Sequence, residues 1–281
     1  MEHRDGTAPA TTYAIDGKVS PHHYIKVEEL DWEDKVKNPT TPMPLRTQQL
    51  EIRHIEILEV FKAFTSLIQG NKDALSNSKE YSHWDDWKDK VDTRSIIFAG
   101  HSFGGCTGIH LLTSQTPSGY EQLPISKAIL HDPWMEPFPE VSEDSEIAAA
   151  SVSVPILVIN SEEFTLWKQH FACQKRTFDP WIKRAREGST WLTIARTRHM
   201  AFSDFTVFFK KKVPMAVHED MHQLTMAFVN GQIPSFFQKN KKRISTELVV
   251  DNPDDNKRKQ MRANIGDIVI HETTERVVSE H

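Results

Sequence analysis

Apolar positions change their rhythm several times along the chain. Between residues 45 and 68, Leu50, Ile52, Ile55, Leu58, Val60, Phe61, Phe64, Leu67 and Ile68 recur at helical spacing, and Gly70 and Asn71 end the run. The pattern predicts a long amphipathic helix with one buried face. Four shorter apolar runs follow: "SIIFAG" at 95–100, "SKAILHD" at 126–132, "VPILVINSE" at 154–162 and "STWLTIA" at 189–195. They are continuous rather than alternating, which suits strands covered on both faces of a parallel sheet. Helical patterns separate and follow them at "FGGCTGIHLL", "FTLWKQHFACQK", "DPWIKRAREG", "FSDFTVFFKK" and "HEDMHQLTMAFVNG". Strands and helices alternating at this rhythm predict an α/β fold, its sheet mostly parallel with helices on both faces. Ahead of them, residues 1–45 are rich in turn formers, with short strand candidates at "TTYAI" and "HHYIKV". From residue 237 onward the pattern gives way to "KNKKR" and "NPDDNKRKQ". The expected organisation is one α/β domain over residues 1–236 and a polar, flexible tail over 237–281.

Composition narrows the picture. Of 281 residues, 38% are hydrophobic and 26% charged, proportions that can build a globular core. The net charge of -5 argues against a nucleic-acid partner. No apolar run reaches the ~20 residues of a membrane-spanning helix. The first residues, "MEHRDGTAPATTYAID", are polar and of mixed charge, unlike a secretory signal, so a cytoplasmic location is expected. Lys239, Lys241, Lys242 and Arg243 could touch a membrane surface, but a short cationic run reads first as a solvated one. Two cysteines, Cys106 and Cys173, lie outside any metal-like spacing and read as small buried hydrophobes. His218 and His222, an i, i+4 pair, read as a solvated helix face, and no metal or other cofactor is expected.

One stretch carries chemistry. Gly100-His101-Ser102-Phe103-Gly104 fits G-x-S-x-G, the nucleophile elbow. Such a serine sits on a strained strand-to-helix turn, and glycines two before and two after it let strand and helix approach. The helix N-terminus then offers backbone N–H groups to an oxyanion. The bare pattern is common, but here an apolar strand candidate precedes it and a helical run follows it. Gly105 and Gly108 allow further close packing. A nucleophilic serine also needs a base and a residue that orients the base. In this fold they follow in the order serine, acid, histidine, at the carboxyl ends of later strands. Asp132 ends "SKAILHD" and His199 follows "STWLTIA" closely. Glu162, ending "VPILVINSE", is the alternative acid; Asp204 competes less well, in the first turn of the next helix pattern. Trp134, Met135, Phe138 and Pro139 follow Asp132 at the end of the sheet where loops build sites. Trp134 and Phe138 either line an acyl pocket or cap the core.

With those residues assembled, the chain resembles the plasma-type (group VII, isoform II) platelet-activating factor acetylhydrolases, and their fungal members most. The resemblance runs through "EHRDGTAPATTY", "IIFAGHSFGGCT", "ILHDPWMEPF", "ILVINSEEF" and "RHMAFSDF", in the family's order, over residues 2 to 230. It implies an α/β-hydrolase fold and calcium-independent hydrolysis of short or oxidised sn-2 acyl chains from glycerophospholipids. Ser102 would be the nucleophile, Asp132 the acid and His199 the base, with the backbone N–H of Phe103 an oxyanion donor. A phospholipid substrate and peripheral contact with a lipid surface follow from the same likeness. In the family the "EHRD" segment comes after several strands and an "HG" loop that supplies a second oxyanion donor. Here the chain opens on that segment, so an N-terminally truncated fold is expected. Two alternatives stay open: another carboxylesterase or lipase of this fold, or an impaired remnant that binds lipid.

Overall fold

The computed structural model describes residues 1, 3–15, 18–26, 44–71, 84–88, 90–138, 152–185, 188–203, 212–251 and 259–271. The chain forms two compact units, one of Met1–Thr93 with Thr116–Leu123, the other of Arg94–Gln115 with Pro124–His281. In the first unit β1 (Ala10–Ile15) and β2 (Lys18–His23) form an antiparallel hairpin. The strand expected at "HHYIKV" starts earlier than its apolar residues suggest, because the register pairs Lys18 with Ile15 and runs out at His23 opposite Ala10. The long helix α1 (Pro44–Ile68) lies where the apolar rhythm put it. The "EHRD" segment is anchored to this helix. Arg53 Nε donates to Asp5 Oδ2 at 2.6 Å, and Gln49 Nε2 donates to the Asp5 carbonyl at 2.7 Å.

The second unit is built on a six-stranded mixed sheet. In chain order it contains β3 (Ile96–His101), α2 (Phe103–Thr113), β4 (Ile125–His131), β5 (Ile156–Ser161), α3 (Glu162–Leu166), α4 (Lys168–Arg184) and β6 (Thr190–Ile194). Then come α5 (Lys212–Val229), α6 (Ile233–Lys239), β7 (Ile244–Ser245), β8 (Val250–Asp251), β9 (Gln260–Met261) and β10 (Ile268–Ile270). The strand order is β3-β4-β5-β6-β10-β7, and the first four strands are parallel. Successive side chains go to opposite faces, as strand geometry requires. Ile129, Leu157, Ile159, Leu192 and Ile194 pack with Val217, Leu224 and Phe228 of α5. Ala128, Leu130, Ile156, Val158 and Trp191 pack on the other face with Ile109 of α2 and with Phe178, Trp181 and Ile182 of α4. The result is an α/β fold with a mostly parallel sheet sandwiched between helices, consistent with an α/β hydrolase.

Two features differ from the sequence pattern. The helical runs at 164–175 and 179–188 break at Trp167 and then join, so that α4 passes through Pro180 without interruption. An interior proline costs ~3 kcal/mol. Phe178, Trp181 and Ile182 are all buried on this helix, and burial of each large apolar side chain is worth ~1.5–3 kcal/mol, enough to carry the helix past the break. The region expected as a polar tail contributes β7 and β10 to the main sheet. Ile268 and Val269 are buried, and β10 pairs antiparallel with β6 and parallel with β7. Arg243, read as one of a solvated cationic run, donates to both carboxylate oxygens of Asp220 at 3.0 and 2.5 Å, and to the Gly266 carbonyl at 2.6 Å. The helix expected at 202–211 lies, apart from Phe202 and Ser203, outside the described residues, as do Asp204 and Pro139.

Candidate active site

Ser102 stands between β3 and α2 with φ 58° and ψ -119°, a conformation that costs an L-residue strain. It is pinned on both sides. Its N–H donates to the His131 carbonyl at 3.0 Å, and its own carbonyl accepts from Cys106 N–H at 3.1 Å and Trp134 N–H at 3.0 Å. The two motif glycines are not equivalent. A Cβ on Gly100 would lie 2.3 Å from the Gly104 carbonyl oxygen, whereas one on Gly104 would meet nothing within 4 Å. The close approach expected of the second motif glycine falls instead to its neighbours. A Cβ on Gly105 would come to 2.9 Å from Pro133, and one on Gly108 to 2.3 Å from the Phe98 ring.

Parallel strands β3, β4 and β6 bring three side chains to one end of the sheet. The Ser102 Oγ–His199 Nε2 distance is 2.8 Å, and His199 Nδ1 lies 2.8 Å from Asp132 Oδ2. With Nδ1 protonated, the ring donates to Asp132 and its Nε2 accepts from the serine hydroxyl. Asp132 is 0% exposed. Burial pushes its carboxyl up, while donors from His199 and Ser161 oppose that rise. Ser161 supplies two of them, its Oγ–H to Oδ2 at 2.6 Å and its N–H to Oδ1 at 2.8 Å.

Glu162, the alternative acid, is engaged elsewhere. Its Oε2 accepts from Arg196 N–H at 2.6 Å and its Oε1 from Met261 N–H at 3.1 Å, so it ties the turn after β6 to β9. The neighbouring Glu163 Oε2 accepts from the His199 N–H at 3.0 Å.

The His199 ring is held between two others. Phe164 stacks on it at 4.4 Å and 4°, and His101 lies 4.6 Å away on a 35° tilt. Burial lowers His101 to about 4, helped by the charges of His199 and His131, and burial lowers His131 to about 4 as well. Both are neutral, apolar-leaning walls at physiological pH, and both pack on Phe202. The loop after Asp132 is fixed from α4. His170 Nε2 accepts from Met135 N–H at 2.9 Å, and Gln174 Nε2 donates to the Pro133 carbonyl at 3.1 Å. Burial, aided by the charge of His199, lowers His170 to about 3, which suits it as a neutral acceptor. Trp134 packs edge-on to Phe103 at 5.9 Å and donates its Nε1–H to Glu136 at 2.8 Å. Phe138 packs instead against the cluster containing Met135 and Val152. Phe103 itself is the first residue of α2.

The sequence pattern does not single out Ser161, Glu163, Phe164, His170 or Gln174. The first three follow directly on the apolar run of β5, at the same end of the sheet as Asp132 and His199, and that position was their available signal. His170 and Gln174 act through contacts 35 and 41 residues away and left no local trace. Among the described residues, no cluster of three metal-ligating side chains forms, and no helix is long and apolar enough to cross a membrane.

A strand-to-helix serine at the carboxyl edge of a parallel sheet, with helices on both faces, places the chain in the α/β-hydrolase class. The sequence profile described as "Platelet-activating factor acetylhydrolase, isoform II" matches residues 1–251, and the chain belongs to that family. Relatives named platelet-activating factor acetylhydrolase from Gallus gallus and Bos taurus are each 28% identical, over 210 and 208 residues. In both cases the match covers 73% of this chain, and 45% and 41% of the relative. A third, from Canis lupus familiaris, is 26% identical over 208 residues. The chain thus spans less than half the length of the curated relatives it matches. No solved structure matches it significantly.

Proposed function

We propose that the chain is a serine esterase that hydrolyses short or oxidised sn-2 acyl esters of glycerophospholipids. The observation that carries the reading is the unbroken chain of contacts from Ser102 Oγ to His199 to Asp132, 2.8 Å at each step, on a serine held at positive φ. Family membership and the names of the relatives support the phospholipid class of substrate.

In this reading His199 Nε2 takes the Ser102 hydroxyl proton as Oγ attacks the sn-2 carbonyl. The carbonyl oxygen becomes an oxyanion beside the Phe103 N–H, at the positive end of α2. Asp132 holds the Nδ1–H tautomer and stabilises the imidazolium. Collapse expels the lysophospholipid alkoxide, which takes the proton back from His199, and leaves an acyl-serine. Water then attacks the acyl carbon, gives its proton to His199, and the fatty acid leaves as Ser102 Oγ is reprotonated. Trp134, beside Phe103, is assigned the acyl contact. The packing of Phe138 against the Met135 cluster speaks for a core role there. Met200, next to His199 and 51% exposed, offers apolar contact to a lipid surface.

A fluorophosphonate probe labels the chain at Ser102, and Ser102→Ala abolishes both labelling and hydrolysis; labelling that persists in the variant overturns the assignment. A 2-acetyl phospholipid turns over faster than its 2-oleoyl counterpart. Trp134→Ala lowers turnover of the phospholipid more than that of p-nitrophenyl acetate. Equal loss on both substrates, with a lower Tm, would make Trp134 a core residue.

A further inference from the structure

Sheet order puts β5 between β4, which ends at Asp132, and β6, which leads to His199. The carboxyl end of β5 therefore comes out between the acid and the base. Three of the four residues at that end reach across to them. Ser161, 0% exposed, donates to each oxygen of Asp132, from Oγ at 2.6 Å and from N at 2.8 Å. Its hydroxyl oxygen also accepts from Phe164 N–H at 3.2 Å, so the hydroxyl proton is directed at the carboxylate. Glu163 accepts from the His199 N–H at 3.0 Å. The Phe164 ring lies flat on the imidazole, 4.4 Å away.

The physical consequences differ for the two partners. A buried carboxylate with one partner can rotate about its last torsion. With one donor from the same residue on each oxygen, it has a single orientation, and Oδ2 is turned to His199 Nδ1. The imidazole is limited in a complementary way: its backbone is held by Glu163 and its ring plane by Phe164. One turn thus sets both ends of the Asp132–His199 contact.

Resting on the reading of Ser102, His199 and Asp132 as nucleophile, base and acid, we infer that Ser161 and Glu163 are positioning residues that fix acid and base relative to each other. Neither touches substrate. Misplacement by about an ångström at this contact is worth roughly 10- to 100-fold in rate. Removing the Ser161 hydroxyl leaves Asp132 Oδ2 without the donor that orients it towards His199.

The test compares wild type with Ser161→Ala, Glu163→Ala and Glu163→Gln. Steady-state hydrolysis of p-nitrophenyl acetate is measured alongside the far-downfield proton resonance of His199 Nδ1–H. Ser161→Ala lowers kcat by about 10- to 100-fold at unchanged KM and weakens the resonance. Glu163→Ala lowers kcat and weakens the resonance, and Glu163→Gln, which keeps an acceptor oxygen for the His199 N–H, restores both. Glu163 is only half-buried, so its pair reads the effect even if Ser161→Ala folds poorly. Unchanged kcat and resonance in Ser161→Ala and Glu163→Ala overturn the inference, as does a Glu163→Gln that falls as far as alanine. If wild type hydrolyses no ester yet the resonance is lost in both alanine variants, the esterase reading fails and the positioning stands.

Discussion

Replacing Gly100 and Gly104 in turn by alanine separates the geometric demand of the elbow from its motif. A Cβ at position 100 would stand 2.3 Å from the Gly104 oxygen, 2.5 Å from its carbonyl carbon and 2.8 Å from Gly105 N. All three are backbone atoms, so no side-chain torsion can relieve the contact. Strand β3 and helix α2 must separate by the order of ~1 Å, and overpacking of that kind costs ~1–3 kcal/mol or more. A Cβ at position 104 meets nothing, and the residue lies in the first turn of α2. Alanine there gains up to ~1 kcal/mol from helix propensity and from the loss of glycine's freedom in the unfolded chain. At roughly 2–4 °C per kcal/mol for a domain of this size, Gly104→Ala raises Tm by up to ~4 °C. Gly100→Ala lowers it by about 2–12 °C. Thermal unfolding followed by circular dichroism reads both, and fluorophosphonate labelling of Ser102 reads whether the elbow keeps its shape. The expected pattern is slowed labelling in Gly100→Ala, with Gly104→Ala folded and at least as stable as wild type. Equal Tm values in the two variants, or a destabilised Gly104→Ala beside an unaffected Gly100→Ala, would refute the steric reasoning.

Three further outcomes follow from the buried polar groups. Asp132→Asn reduces kcat on the order of 10⁴-fold with little loss of folding. Glu162→Gln keeps activity within about tenfold of wild type and shows its effect in Tm, since it disturbs two backbone contacts worth ~1–3 kcal/mol together; equal activity losses would overturn Asp132 as the acid. Acidification below about pH 6.5 destabilises the fold. Burial holds His131 at about 4 and His170 and His271 at about 3 in the native state, while the unfolded chain takes up protons near 6.5. Their stabilisation is therefore complete above 6.5 and is lost as pH falls towards 4. With His101, also held at about 4, four such groups give a slope of up to ~5 kcal/mol per pH unit. The raised carboxyls of Asp132 and Glu136 work against this. A midpoint in urea that is unchanged or higher at pH 5.5 than at pH 7 would contradict it.

Of the four parallel strands, β5 and β6 were legible because their side chains are buried on both faces, and β3, whose residues are half-buried or exposed, was legible from its apolar run and the elbow that follows it. In β5 all six residues are buried, and an unbroken apolar run is the sequence image of that environment. β10 was not legible. Three residues, Ile268–Ile270, are too few to show a period, and their place beside β6 depends on a pairing partner some 75 residues earlier. At the site, Ser102 had been nominated by the G-x-S-x-G elbow, and Asp132 and His199 by nearness to the carboxyl end of a strand. The same rule nominated Glu162 equally well, because strand position does not say which way a carboxylate turns. That choice was made by Ser161, whose two donors hold Asp132, and by the Arg196 and Met261 amides, which take Glu162. Hydrogen-bond partners of this kind are supplied by other strands and leave no pattern in their own segment.

Among the described residues, three that are not glycine have positive φ: Ser102 at 58°, Asp132 at 45° and Arg196 at 62°. Each follows the end of a parallel strand, and the third lies three residues before His199. Strain of this kind costs ~1–3 kcal/mol per residue, so the three together weigh on the order of the entire net stability of a marginal domain. Stability and chemistry therefore compete at these positions. Selection for thermal stability alone would favour glycine at residue 102, and a more robust variant obtained that way would have lost its hydroxyl. Arg196 is where the two demands come apart. A glycine there relieves strain without removing a member of the Ser102–His199–Asp132 chain, and the Glu162 contact survives because it is made to the backbone N–H, while the half-exposed guanidinium's bonds to the Ala263 carbonyl and Gln260 are given up. Position 196 is thus where robustness can be gained at the site while its reacting groups are kept.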